Sequence, residues 1–188
     1  MTAELQRFKG LIAKAATGTP LAYADADLRA ILKEVRTIAM VGASANEMRP
    51  SYFVLLYLKN KGFTVHPVNP RYAGQTICGR LCHPDLASLP DVPDMVDIFR
   101  ASKDAPPIVD DAIRIGAKVV WMQLGVRHDE AAAKAEAAGL KVVMDRCPKI
   151  EYGRLFGEIG WLGIDRKMLS AKRGRAVQLK TRKGRLLP

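Results

Sequence analysis

The chain has 188 residues, 48% of them hydrophobic, and a formal net charge of +11 at pH 7, which suits one domain with a sizeable core. Its longest unbroken apolar stretch, Tyr52 to Leu58, falls far below the ~18 residues that a membrane-spanning helix needs, so no spanning helix is expected. Three cysteines (Cys78, Cys82 and Cys147) are too few and too odd for a disulfide framework, and the N-terminus mixes acid and base with no apolar leader, so a cytoplasmic location is expected.

The charge is unevenly spread. From Asp165 onward nine Lys or Arg face one acid, so that stretch carries +8 and the rest of the chain only +3. The expected organisation is N-terminal helices packing on the core (1–36), an α/β core (37–163), and a basic, flexible tail (164–188). Leu5, Phe8, Leu11 and Ile12 have helical spacing, and Thr17-Gly-Thr-Pro20 breaks it. A second helix follows, capped by Asp25 or Asp27, with Leu28, Ile31, Leu32 and Val35 on its apolar face.

An apolar run, Ile38 to Val41, then ends in Gly42, and a helical segment occupies Tyr52 to Lys59. Three times afterwards a helical segment closes at glycine and a β-rich run begins: Gly62 before Phe63–Val68, Gly116 before Lys118–Leu124, and Gly139 before Leu140–Met144. A further run, Met95–Phe99, is followed by a helix with Asp104 as its cap and Pro106 in its first turn. Asp129-Glu130 opens an alanine-rich helix, and a short helix follows Cys147. Five strands alternating with helices predict an α/β, Rossmann-like, doubly wound parallel sheet in a single domain.

The loop after the first strand is the first candidate site, because loop amides and a following helix start favour a phosphate. The residues are Gly42, Ala43, Ser44 and Ala45, with Arg49 near the start of the helix. The dinucleotide pattern G-x-G-x-x-G is missing, and the second strand ends in Val68-Asn69-Pro70-Arg71 where an NAD site expects a carboxylate. An arginine there suits a ligand with a phosphate on its adenosine ribose. NADP and coenzyme A both satisfy that pattern.

Six ordered motifs go further: Gly42-Ala-Ser44, Arg49-Pro-Ser51, Pro67-Val-Asn-Pro70 followed by Gly74, Val96-Asp-Ile-Phe-Arg100, Trp121-Met-Gln-Leu-Gly125 and Asp145-Arg-Cys147. Over Thr37 to Leu155 they resemble the small stand-alone CoA-binding domain proteins, which are similar to the N-terminal CoA-binding domain of the succinyl-CoA synthetase α subunit. The resemblance implies binding of coenzyme A or an acyl-CoA, as a carrier, sensor or regulatory protein. It implies that Gly42 to Ala45 approach the pyrophosphate, and that Val68, Asn69, Pro70 and Arg71 bracket the adenosine and its 3′-phosphate. Phe99, Arg100, Gln123, Leu124 and Gly125 would line the pantetheine side. The phosphohistidine and ATP-binding parts of the synthetases have no counterpart here, so ligase chemistry is not expected. The alternatives are an NADP-dependent oxidoreductase and a nucleic-acid-associated protein acting through the tail.

The bland readings are these. Arg71 and Arg100 make surface ion pairs, His66 is a structural histidine, His128 precedes a helix cap, and Trp121 and Met122 are core. Cys78, Cys82 and His83 form neither a haem nor a zinc pattern, so no metal is expected. Cys147, beside Arg146 and Lys149, is either a buried thiol or one with a lowered pKa poised to form a mixed disulfide with CoA. Asp97 pairs with a neighbouring base. Lacking interleaved aromatics, the tail offers at most a weak hold on nucleic acid or an acidic partner.

Overall fold

The computed structural model describes residues 21–157. The helical spacing at Leu5 to Ile12 and the basic tail lie outside the described residues. The elements run α1 (Asp25–Glu34), β1 (Thr37–Val41), α2 (Pro50–Asn60), β2 (Thr64–Val68), β3 (Thr76–Ile77), β4 (Arg80–Leu81), β5 (Met95–Ile98), α3 (Ala105–Ile115), β6 (Val119–Met122), α4 (Asp129–Ala137), β7 (Lys141–Val143) and α5 (Pro148–Leu155). Five strands form one parallel sheet in the order β2-β1-β5-β6-β7. The register sets Val41 beside Val68 on one side and Ile98 on the other.

Alternation along the strands sorts the core into two layers. Ile38, Met40, Met95, Val119 and Trp121 pack with Leu28, Ile31 and Leu32 of α1, Val54, Leu55 and Leu58 of α2, and Leu155 of α5. Ala39, Val96, Ile98, Val120 and Met122 pack with Val109 and Ala112 of α3 and Ala131, Ala132 and Ala135 of α4. The sheet is therefore covered on both faces, the doubly wound arrangement expected, and Trp121 and Met122 are core.

The strand and helix alternation breaks once. Between β2 and β5 the crossover holds no α-helix; a 3-10 turn (Pro70–Tyr72), the antiparallel pair β3–β4 and a loop replace it. His83 N–H donates to the Pro67 carbonyl and Asn69 N–H to the His83 carbonyl, both at 2.9 Å, so this segment covers the free edge of β2. Pro67, which has no N–H for a ladder, is tolerated because β2 is an edge strand.

Several local expectations are corrected. Neither Asp25 nor Asp27 caps α1, whose N-cap is Ala24; Asp25 instead pairs with Arg154 at 2.6 Å. Asp104 is the N-cap of α3, but its carboxylate makes no capping bond. His128 is itself the cap of α4, its Nδ1 accepting from Ala131 N–H at 3.2 Å. Among the described residues no helix is long and apolar enough to cross a membrane, and no group of three or more His, Cys, Asp or Glu is placed to hold a metal ion.

Candidate functional site

In an open parallel sheet the crevice lies at the carboxyl edge, where successive connections leave in opposite directions. Here that point lies between β1, whose chain goes on to β2, and β5. Gly42 sits there with φ +89°, and a Cβ built on it would stand 2.3 Å from the Phe99 carbonyl oxygen and 2.9 Å from Arg100 Cδ. Its N–H donates to the Val68 carbonyl, and Phe99 N–H donates to the Val41 carbonyl, each at 2.8 Å. Only glycine lets the three strand ends converge this closely.

The loop that follows is held by its own side chains. Asn46 N–H donates to Ser44 Oγ at 3.1 Å, and Met48 N–H to Asn46 Oδ1 at 2.9 Å. Asn69, 8% exposed, donates its amide to the Ala43 carbonyl at 2.7 Å and accepts Arg71 N–H at 3.0 Å, tying the β1 and β2 loops together. The N–H groups of Ala43, Ser44 and Ala45 donate to none of the described residues. The helix starts two residues earlier than the spacing predicts, with Pro50, which has no N–H, in its first turn. Donors for an anion therefore come from the loop more than from the helix end.

Two cavities open on this edge. The first, about 370 Å³, is lined by Gly42, Val68, Asn69, Pro70 and Arg100 among the residues expected from sequence, and by Asp85, Leu86, Lys103 and Asp104 among those not expected. The second, about 620 Å³, is lined by Phe99, Arg100, Gln123 and Leu124, together with Pro50, Val54, Val126 and Cys147. Arg100 borders both. No ion pair joins Arg100, Lys103, Arg71 or Arg49 to another described residue, which corrects the surface-pair reading of Arg71 and Arg100.

Ala43, Ser44, Ala45, Arg49, Arg71 and Gly125 line neither cavity. Ala43 is buried, while Arg49 and Arg71 are exposed at the rim. Gly125 N–H donates to Asp145 Oδ1 at 2.8 Å, linking the loop after β6 to that after β7. Lys103 had a readable signal, since it follows the β5 end by a few residues; the loop holding Asp85 and Leu86 had none.

Asp97 does not pair with a base. It is fully buried, and its partner is Gln123, whose Nε2 donates to Oδ1 at 2.9 Å and Oδ2 at 3.2 Å. Burial, partly offset by that bond, pushes the carboxyl up to about 8. Burial likewise raises the Cys147 thiol, outweighing the N–H groups of Ile150 and Lys149, so the lowered pKa is not found. His66 is half-buried against His83, ring centroids 5.9 Å apart, and burial lowers its pKa.

A family model described as a CoA binding domain matches residues 36–153. The chain belongs to the CoA binding domain family. The uncharacterised protein YneT of Bacillus subtilis is 31% identical over 130 residues, covering 68% of this chain and 93% of YneT. An ADP-forming acetate–CoA ligase (I) of Archaeoglobus fulgidus is 27% identical over 122 residues; the match takes in 60% of this chain and 18% of the ligase. Among solved structures, a hypothetical protein of Pyrococcus horikoshii superposes with a TM-score of 0.69 at 41% identity, covering 72% of this chain and 94% of that one. A Thermus thermophilus protein gives 0.69 at 36% identity, covering 71% and 100%. Membership of the CoA binding domain family supports a CoA-binding role and specifies no acyl group.

Proposed function

We propose that this protein binds coenzyme A or an acyl-CoA across the carboxyl edge of its sheet and serves as a carrier, sensor or regulatory protein. The observation that carries the reading is Arg100, a guanidinium without an ion pair among the described residues, at the junction of the two cavities and beside Gly42. A diphosphate at that junction meets Arg100 and the Ala43, Ser44 and Ala45 amides, a set of charge-assisted and neutral donors. The adenosine end then lies along Val68, Asn69 and Pro70, with Arg71 and Lys103 as the cations for its 3′-phosphate. The pantetheine arm lies along Phe99, Gln123, Leu124 and Gly125. Arg49 adds positive potential at the loop. The activity of the acetate–CoA ligases is not carried over, because the matched region is a small part of them.

Thermal denaturation and calorimetry with CoA, acetyl-CoA, 3′-dephospho-CoA, NADP and NAD test the reading. A ligand that binds only the native state adds about 2.7 kcal/mol at a hundred times its Kd. CoA and acetyl-CoA are expected to raise Tm and NAD to leave it unmoved. No heat with CoA, or NADP matching CoA, overturns the reading, the second outcome in favour of a dehydrogenase-type cofactor.

A further inference from the structure

One buried group behind Gln123 has no part in the reading above. Asp97 lies on the β5 face shared with Met95 and Phe99, between Met40 of β1 and Trp121 of β6 in the sheet register. It is 0% exposed, and no cation among the described residues pairs with it. Gln123, 5% exposed, gives its Nε2 to both carboxyl oxygens. The other end of that carboxamide, Oε1, accepts from none of the described residues and is not sealed from solvent, and Gln123 lines the second cavity. A nearly buried acceptor left without a protein donor, on a residue that lines a cavity, is an arrangement that a ligand N–H satisfies.

We propose that Asp97 is a positioning residue for ligand recognition: by holding the amino end of the Gln123 carboxamide, it leaves the carbonyl end to the second cavity, which thereby selects a secondary-amide N–H, the donor that the arm of coenzyme A carries. The orientation is set by the ionised form of Asp97, so binding is compared at about pH 9, above the value to which burial pushes this carboxyl. The ionised carboxylate only accepts, so it faces Nε2. Turning the amide over sets Oε1 against that carboxylate and keeps neither bond. This inference rests on the CoA reading and adds to it which end of Gln123 is presented and why.

The test compares binding of CoA with that of two analogues, each with one arm amide N–H replaced by an ester oxygen. The wild type is expected to bind CoA roughly tenfold tighter than one of the two analogues, the size of a lost donor to a buried acceptor. Asp97→Asn, whose carboxamide pairs with either end of Gln123, is expected to lower the preference, and Asp97→Leu, which releases the amino end towards the cavity, to abolish it. Gln123→Leu, which removes the carboxamide outright, is expected to abolish it too and serves if Asp97→Leu does not fold. A preference that survives in Asp97→Leu or in Gln123→Leu overturns the inference, as does a wild type that binds CoA without discriminating either analogue. A wild type that does not bind CoA overturns the function proposed above and this inference with it.

Discussion

Gly42→Ala perturbs the point where β1, β2 and β5 meet. Two costs add. At φ +89° an L side chain is strained, by about 1–2 kcal/mol. The new methyl also stands 2.3 Å from the Phe99 carbonyl oxygen, about 1 Å inside ordinary contact. That oxygen has little freedom to retreat, because Phe99 N–H is held by Val41 at 2.8 Å, so the β5 end must shift, at a further cost of about 1–3 kcal/mol. Each kcal/mol lowers Tm by roughly 2–4 °C at this size, so the summed cost of about 2–5 kcal/mol gives an expected fall of roughly 4–20 °C. Gly62 supplies the control: its φ is +91°, but a Cβ there meets nothing within 4 Å, so Gly62→Ala carries the strain alone. Differential scanning calorimetry of both variants, with CoA titration of each, separates the terms. Gly42→Ala is expected to lose more stability and to weaken CoA binding, since Arg100 moves with Phe99. Equal losses in the two variants, with CoA affinity intact in Gly42→Ala, would refute both the packing argument and the placement of the ligand beside Gly42.

Asp94 joins the starts of β1, β5 and β6: its Oδ2 accepts Arg36 N–H at 2.9 Å, Thr37 N–H at 3.0 Å and the Thr37 hydroxyl at 3.1 Å, and its Oδ1 meets Lys118 Nζ at 2.7 Å. Burial opposes its ionisation, but these donors hold the carboxyl well below the usual range. The stabilisation is complete above the unfolded carboxyl pKa of about 3.9 and is lost as pH falls through the folded value, so Asp94→Asn should cost roughly 2–3 kcal/mol near neutrality and progressively less below pH 4, read as the Tm difference from wild type. Arg71→Ala, at an exposed position, should move stability by less than about 0.5 kcal/mol. It should also lower CoA affinity about tenfold while leaving 3′-dephospho-CoA binding unchanged; an equal loss for both ligands removes Arg71 from the 3′-phosphate.

The five parallel strands were legible because each buried run is set off by a turn signal and only the carboxyl edge gathers the loop residues. The β3–β4 pair was not legible: its strands are two residues long, below any period, and its tip places Cys78 at φ 49°, a conformation that no glycine advertises at that position. Local capping also misled, since His128 rather than a neighbouring acid fills the N-cap of α4. Of the candidate site, Gly42, Asn69 and Arg100 sit where strand ends alone put them. Asp85 and Lys103 come to one cavity from segments whose proximity depends on a non-helical crossover. The Asp97–Gln123 pair spans 26 residues and appears only once β5 and β6 are in register, two residues past the Asp97–Trp121 rung.

The loop after β1 leaves amide donors next to the first cavity because it does not bond fully to itself. Residues 43–49 delay the start of α2 until Pro50, and the Ser44 and Asn46 side chains satisfy only the amides of Asn46 and Met48. The amides from Ala43 to Ala45 are left over, next to a glycine that already admits the β5 end. Across the switch point, Ser102 Oγ accepts Arg127 N–H at 3.0 Å and donates to the Gly125 carbonyl at 3.4 Å, which holds the β5 and β6 loops together and keeps the second cavity walled on that side. Arg100 and Asp104 line both openings because they follow β5, the strand at which the winding reverses, and Arg100 is the cation of the two. A ligand with an anionic middle and two unlike ends would find at Arg100 the contact that fixes its centre.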